Sequence, residues 1–331
     1  MAANFSYLSD LTVSLRSDSA TGLIYANSRN QVEVIVNFIA LNNRGEQVFL
    51  TDEQKQDTIS LCDYYTGKPI DSDDWAVSQE AGEFVSDGIL LDHESSYTTL
   101  SQENKGTSPA GLKSGLGGYL LPQSYSLWVS VNNGVFTTKS FAAEIFDGDN
   151  KTYSSTIFGD FESCITLTPV VEKTYVKEDI FLSNDAEIEN IWDYQFSTDI
   201  VYKHCTYLSF LQNYLFMKKI EGIPDDTDTL MCKNYTPWKF STRFVYIDGR
   251  NSGIRSDYTS PDGTVYSFLK NLRTDYLCCT LISYSTAPQI PNNFYEPVVI
   301  TVYDQYGNKG RFQIGINDLS ANQLKIKITD A

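Results

Sequence analysis

The sequence predicts an all-β chain of two sandwich domains in tandem, with one or two short helices. Three observations carry that expectation. Short runs of β-branched and aromatic residues recur along most of the chain, broken by Gly, Asn and Asp, which is the pattern of strands joined by tight turns. One hairpin pattern also occurs twice. Val298–Asp304 is followed by the break Gln305–Gly310 and the run Arg311–Ile316; Phe141–Asp147 is followed by the break Gly148–Lys151 and the run Thr152–Ile157. Each copy leads into one more strand-like run, Leu324–Ile328 after the Val298 copy and Cys164–Leu167 after the Phe141 copy. Finally, 331 residues with 41% hydrophobic and 20% charged side chains suffice for two ordinary cores. The domains are expected at 1–167 and 168–331.

Taken in order, Leu11–Leu15 alternates and reads as a first strand, and polar Ser17–Thr21 as a turn. Gln31–Leu41 is the clearest strand of the chain. Val32, Val34, Val36 and Phe38 fall on one face and Glu33 and Asn37 on the other, so one side is expected to be buried and the other wet. Asn42–Glu46 makes the next turn, and Gln47–Leu50 returns.

The order Tyr25-Ala26-Asn27, a few polar residues, Gln31–Val36 and a turn at Gly45 resembles bacterial immunoglobulin-like domains. In those families an Ala-Asn-Gly element precedes an alternating second strand and an Asp-x-x-Gly hairpin. Asp304-Gln305-Tyr306-Gly307-Asn308 has the same form near the other end. Invasin- and intimin-type adhesin repeats and many phage-tail or surface-particle decoration domains carry these elements. The resemblance departs at Ser28, where glycine is usual. It implies immunoglobulin-like sandwiches used for display, spacing or binding.

Thr51-Asp52-Glu53-Gln54 has the form of a capping box and predicts a short helical turn before the strand Thr58–Cys62. Tyr64–Pro69 turns, and Asp71–Trp75 is an acidic loop. Residues 92–118, rich in Ser, Thr, Asn and Gly, read as a long loop. Tyr125–Val131 resumes the sheet. In the second half Ser183–Glu187 could cap a short helix reaching Trp192, and Tyr194–Ile220 leans to strand because Thr, Tyr, Phe and Ile dominate. Asp248-Gly249 and Pro261-Asp262-Gly263 punctuate further hairpins, and Tyr276–Tyr284 is a core strand.

Composition narrows the function. With 25 Lys and Arg against 42 Asp and Glu the formal charge is −17, and no basic run exceeds Lys218-Lys219, which argues against nucleic acid as a partner. No apolar run approaches a membrane-spanning helix. Met1–Tyr7 lacks the basic and apolar regions of a signal peptide. The expectation is synthesis and folding in the cytoplasm, with any action outside following lysis, a signal-independent route or incorporation into a particle. The six cysteines have no C-x-x-C spacing and read as buried free thiols.

Chemistry is sparse. His93 reads as a loop residue. His204 and Cys205, adjacent on a strand, face opposite sides, so they make no dyad by themselves. Gly115–Gly118 precedes a strand and lacks the Gly-Lys-Ser/Thr ending of a phosphate loop. The acidic clusters gather hard oxygens of the kind calcium takes, which makes Asp147, Asp149, Asp225, Asp226 and Asp228 metal candidates and calcium the one cofactor left open. Aromatics reach 13%, including 22 Tyr, and Tyr gives contact area at low entropic cost; Tyr97, Tyr119, Tyr235 and Trp238, on or near the 92–118 and 225–238 loops, are the binding candidates.

The expected protein is therefore non-enzymatic: a binding or structural component of a bacterial or phage particle, an adhesin, or the binding part of a toxin. Its partner is a protein or glycan surface, and open strand edges leave a homo-oligomer possible in principle. The second expectation is a β-pore-forming toxin inserting residues 92–121 or 135–157, and the third a carbohydrate-active enzyme using a carboxylate pair.

Overall fold

The computed structural model describes residues 5–70, 74–87, 89, 120–147, 151–183, 200–222, 230–236, 241–248, 255–259, 265–269, 277–284, 298–318 and 324–331. It is all-β apart from one α-helix and one 3-10 turn among these residues. The chain divides into two compact units, Met1–Glu172 and Lys173–Ala331. The expected 92–118 loop, the expected helix beyond Ser183, and His93 and Gly115–Gly118 lie outside the described residues.

The first unit contains β1 (Tyr7–Leu15), β2 (Thr21–Ala26), β3 (Asn30–Leu41), β4 (Gln47–Val48), α1 (Asp52–Thr58), β5 (Ile59–Asp63), β6 (Trp75–Ser78), β7 (Phe84–Ser86), β8 (Gln123–Val131), β9 (Lys139–Phe146), β10 (Thr152–Ser154) and β11 (Ile165–Val171). One sheet runs β1-β3-β8-β6, with β4 and β7 on β3; the other runs β10-β9-β11-β2, with β5 on β9. Alternation in β3 places Val32, Val34, Val36 and Phe38 at zero exposure, as the sequence pattern requires. They meet Ile24, Ile59, Leu61, Phe141, Ile145, Ile165 and Leu167 of the facing sheet in one core. Trp75 stands edge-on to Phe141 with ring centroids 5.2 Å apart, joining the two layers. The capping box at Thr51 is present with both bonds, and α1 follows it.

Ser28 takes the backbone conformation that glycine adopts most readily. It sits at φ 60°, in the left-handed region. The corner that holds it there is built from two buried asparagines: Asn27 Oδ1 accepts from the backbone of Arg29 and Asn30, and Asn30 Oδ1 accepts from Tyr25 N. Ser28 Oγ accepts in turn from Asn133 N.

The second unit contains β12 (Thr174–Tyr175), a 3-10 turn (Lys177–Asp179), β13 (Ile180–Leu182), β14 (Ile200–Phe210), β15 (Met217–Glu221), β16 (Leu230–Thr236), β17 (Ser241–Asp248), β18 (Arg255–Thr259), β19 (Val265–Leu269), β20 (Leu277–Tyr284), β21 (Val298–Asp304), β22 (Lys309–Asp318) and β23 (Leu324–Asp330). One sheet is β12-β22-β21-β15, with β23 on β22; another is β13-β14-β20-β17-β16; β18 and β19 form a separate pair. Tyr175 of the first sheet packs on Phe210 of the second at 4.4 Å between centroids. The strand reading of Tyr194–Ile220 holds where that stretch is described, in β14 and β15.

Both repeated hairpins form, and they differ. In the second unit β21 turns at Asp304 and returns as the continuous strand β22. In the first unit β9 turns after Asp147 and β10 pairs only to Ser154. The chain then leaves the sheet and rejoins β9 at Ile165, opposite Phe141. The run Thr152–Ile157, expected as one return strand, is therefore interrupted after Ser154.

Candidate binding surface

The excursion from Ser155 to Cys164 is anchored at its base by two serines. Ser155 N donates to Ala143 O and Ser155 Oγ accepts from Ala143 N, which fixes the outgoing end to β9. Ser163 N donates to Ser155 O, and Ser155 Oγ donates to Ser163 O, so the two ends close on each other. Ser163 Oγ accepts from Val13 N of β1 at 3.0 Å, tying the same base to the opposite sheet. Phe161 packs against the core from inside the loop. This is a compact loop with joined ends, held by both layers of the sandwich.

Its tip is a tight turn. Gly159 N donates to Thr156 O, which leaves Ile157 and Phe158 as the two central residues. A Cβ at Gly159 would collide with the Ser154 carbonyl oxygen, so glycine is required for the chain to pass this close to β10. Phe158 is 88% exposed, the most exposed large apolar side chain among the described residues, and Ile157 is 42% exposed.

A second turn abuts the first. Asp63 Oδ1 accepts from the backbone N–H groups of Tyr65 and Thr66 and from the Thr66 hydroxyl. Ile157 N donates to Tyr64 O at 3.3 Å, so the two turns are joined by their backbones. Tyr65 and Phe158 each follow one partner of that bond, and Tyr65 is 60% exposed. Tyr64 lies beneath, edge-on to Tyr65 at 5.0 Å, with its hydroxyl donating to Glu162. Joined in this way, the two turns present Phe158, Ile157 and Tyr65 as exposed apolar side chains. Lys151 rests over the Tyr153 ring at 4.2 Å.

Cys62 is fully buried beside Tyr64 and Ala142. Burial, reinforced by the nearby charges of Glu144 and Asp63, pushes its thiol up to about 12, so it supplies no thiolate at neutral pH. Glu144 is itself raised by burial. Asp63 moves the other way: against the cost of its partial burial, the Thr66 bonds and Lys139 hold its carboxyl below the ordinary range. Among the described residues no three His, Cys, Asp or Glu side chains are gathered for a metal ion.

Of the residues singled out in the sequence, Asp147 is described: it is buried, and its Oδ1 accepts from Lys151 N across the hairpin turn. Tyr235 is a residue of β16. Tyr97, Tyr119, Trp238, Asp149, Asp225, Asp226 and Asp228 lie outside the described residues. Phe158, Ile157 and Tyr65 were not singled out, because Ile157 reads as the end of a strand and Phe158 as its neighbour. The available signal was Thr156-Ile157-Phe158-Gly159 followed by Asp160, an apolar pair inside a turn-forming frame.

No protein-family model matches the chain, and no curated protein matches it in sequence. Among solved structures, the C-terminal domain of the Streptococcus agalactiae AgI/II polypeptide BspA aligns over 97% of this chain and 100% of its own, at 9% identity and a TM-score of 0.20. The collagen adhesin (CNA) from S. aureus aligns over 99% of this chain and 94% of its own, at 9% identity and a TM-score of 0.19. At these scores the likeness carries no argument about activity or partner. Among the described residues no helix is long and apolar enough to cross a membrane.

Proposed function

We propose that this protein is a non-enzymatic, adhesin-like binding protein that engages a protein or glycan partner on a surface. The observation that supports it is the doubly anchored 155–164 loop, whose hydrogen bonds to both sheets hold Phe158 in water on a turn bonded to the one that carries Tyr65. An exposed apolar cluster on a fixed backbone loses little entropy on binding and gains the area it buries. A bacterial or phage particle, or the receptor-binding part of a toxin, is the setting this reading favours.

The test is a comparison of wild type with Phe158→Ser and Tyr65→Ser on glycan arrays and on intact cells. A central aromatic anchor typically costs about 2 kcal/mol or more when truncated, so either change should lower affinity roughly 30-fold or more. Undiminished binding by both variants would place the contact elsewhere and end this reading.

A further inference from the structure

The strand registers fix where a backbone pull enters and leaves each unit, and the two units differ. In the first unit β1 begins beside Leu41, at one end of β3, and β11 ends beside Ala26, next to the corner that opens β3 at Asn30. The two points lie at opposite ends of the sandwich. β1 is antiparallel to β3 over Leu8–Leu15, and β11 is parallel to β2 over Thr166–Val171. Tension along the chain therefore loads both pairs along their length, and their hydrogen bonds must stretch together. The inner-face neighbours Ile24, Ala26, Ile165 and Leu167 are all buried, which shields the parallel pair from water. Pro169 sits at a position whose N–H would point away from β2, so its missing donor costs the pair nothing. Arg29 and Glu172 form an ion pair immediately past the last bonded residues.

In the second unit the two points lie at the same end. β12 starts beside Lys309, and β23 ends with Asp330 beside Phe312, where Ala331 N also donates to Arg311 O. The first of these is clasped: Lys173 N donates to Asn308 Oδ1 and Tyr175 Oη to Asp304 Oδ2. The other is tied to the 3-10 turn by Asp330 Oδ1, which accepts from Lys177 N at 2.7 Å, and this side-chain bond is the first to be loaded. A pull between them opens β23 from β22 one bond at a time, beginning at Asp330.

We propose that the first unit is a tension-bearing element and the second the element that yields first, so that the chain lengthens under load while its first sandwich stays folded. This is independent of which partner the Phe158 loop engages. Forced unfolding is governed by the barrier along the pulling direction, so solution stability does not decide it.

The test is a force ramp on the full chain held by a tag at each end. Two unfolding steps are expected, the second at clearly higher force. Thr168→Pro removes a backbone donor from the β2/β11 pair and should abolish the high-force step, leaving the other in place. If that variant does not fold, Glu172→Gln keeps every strand bond and should shift only the high-force step downward. Asp304→Ala should lower only the low-force step, which assigns it to the second unit. Two steps at equal force, or a low-force step that responds to Thr168→Pro or Glu172→Gln, would overturn the proposal.

Discussion

Asn42 and Asp304 open turns with the same internal bonding, one at the surface of the first unit and one sealed inside the second. In each, the side-chain Oδ1 accepts from the backbone two and four residues on: Arg44 and Glu46 in one, Tyr306 and Asn308 in the other. The opening residue's N–H donates to the carbonyl four residues on, and a glycine at φ 78° donates back to the opening carbonyl. What differs is the second oxygen's place. Asn42 carries an amide there, donating to Glu46 in a partly exposed site. Asp304 carries a carboxylate oxygen that accepts from Tyr175 Oη at 2.6 Å and from Asn308 Nδ2 at 3.0 Å, with Asp304 and Asn308 at zero exposure. Local sequence therefore sets the turn, while tertiary covering sets what the turn is worth.

Removing the anchors should expose that difference. Asp304→Ala strips acceptors from four buried donors, each costing about 1–3 kcal/mol when unpaired, so a loss above about 3 kcal/mol is expected. Urea unfolding, with hydrogen exchange across 298–318 reporting the second unit, measures it. Tyr175→Phe removes a single bond to a carboxylate and should cost about 1.5–3 kcal/mol by the same measurement. Asn42→Ala, in the matching but exposed turn, should cost about 1 kcal/mol or less. Equal losses at positions 42 and 304 would break the comparison.

Acidity sharpens it further. Burial pushes the Asp304 carboxyl above its ordinary value near 3.8, against the pull of its hydrogen bonds to Tyr175 and Asn308. A raised carboxyl binds its proton more readily in the folded state, so its contribution grows as pH falls toward 3.8. The stability gap between wild type and Asp304→Ala should therefore widen on acidification. Asp63, held below the ordinary range, has the opposite sign, and its gap to Asp63→Ala should close as pH drops below 3.8. Parallel denaturation series from pH 7 to pH 3 check both directions.

These residues also show what a sequence makes legible. The alternation of Val32, Val34, Val36 and Phe38, the capping box at Thr51 and the turns at Asn42 and Asp304 are local patterns, and each forms as read. The echo between the Asp147 and Asp304 hairpins was legible as two turns. The fate of the strand after Asp147 was not, because it depends on Ser163 reaching Val13, a partner 150 residues away. Tyr175 covering Asp304 is another such case, 129 positions away along the chain. The candidate surface was hidden for the same reason: nothing in Ile157 or Phe158 states that Ser155 and Ser163 close beneath them.

The closure at Ser155 and Ser163 also sets the intervening segment outside the strand ladders, with Gly159 and Phe161 as its fixed points. β10 has stopped pairing before it and β11 has not begun, so insertion or deletion between the two serines shifts no register on either sheet. A change of length there is expected to leave both sheets paired as long as Phe161 keeps its seat in the core and Gly159 its close pass by Ser154.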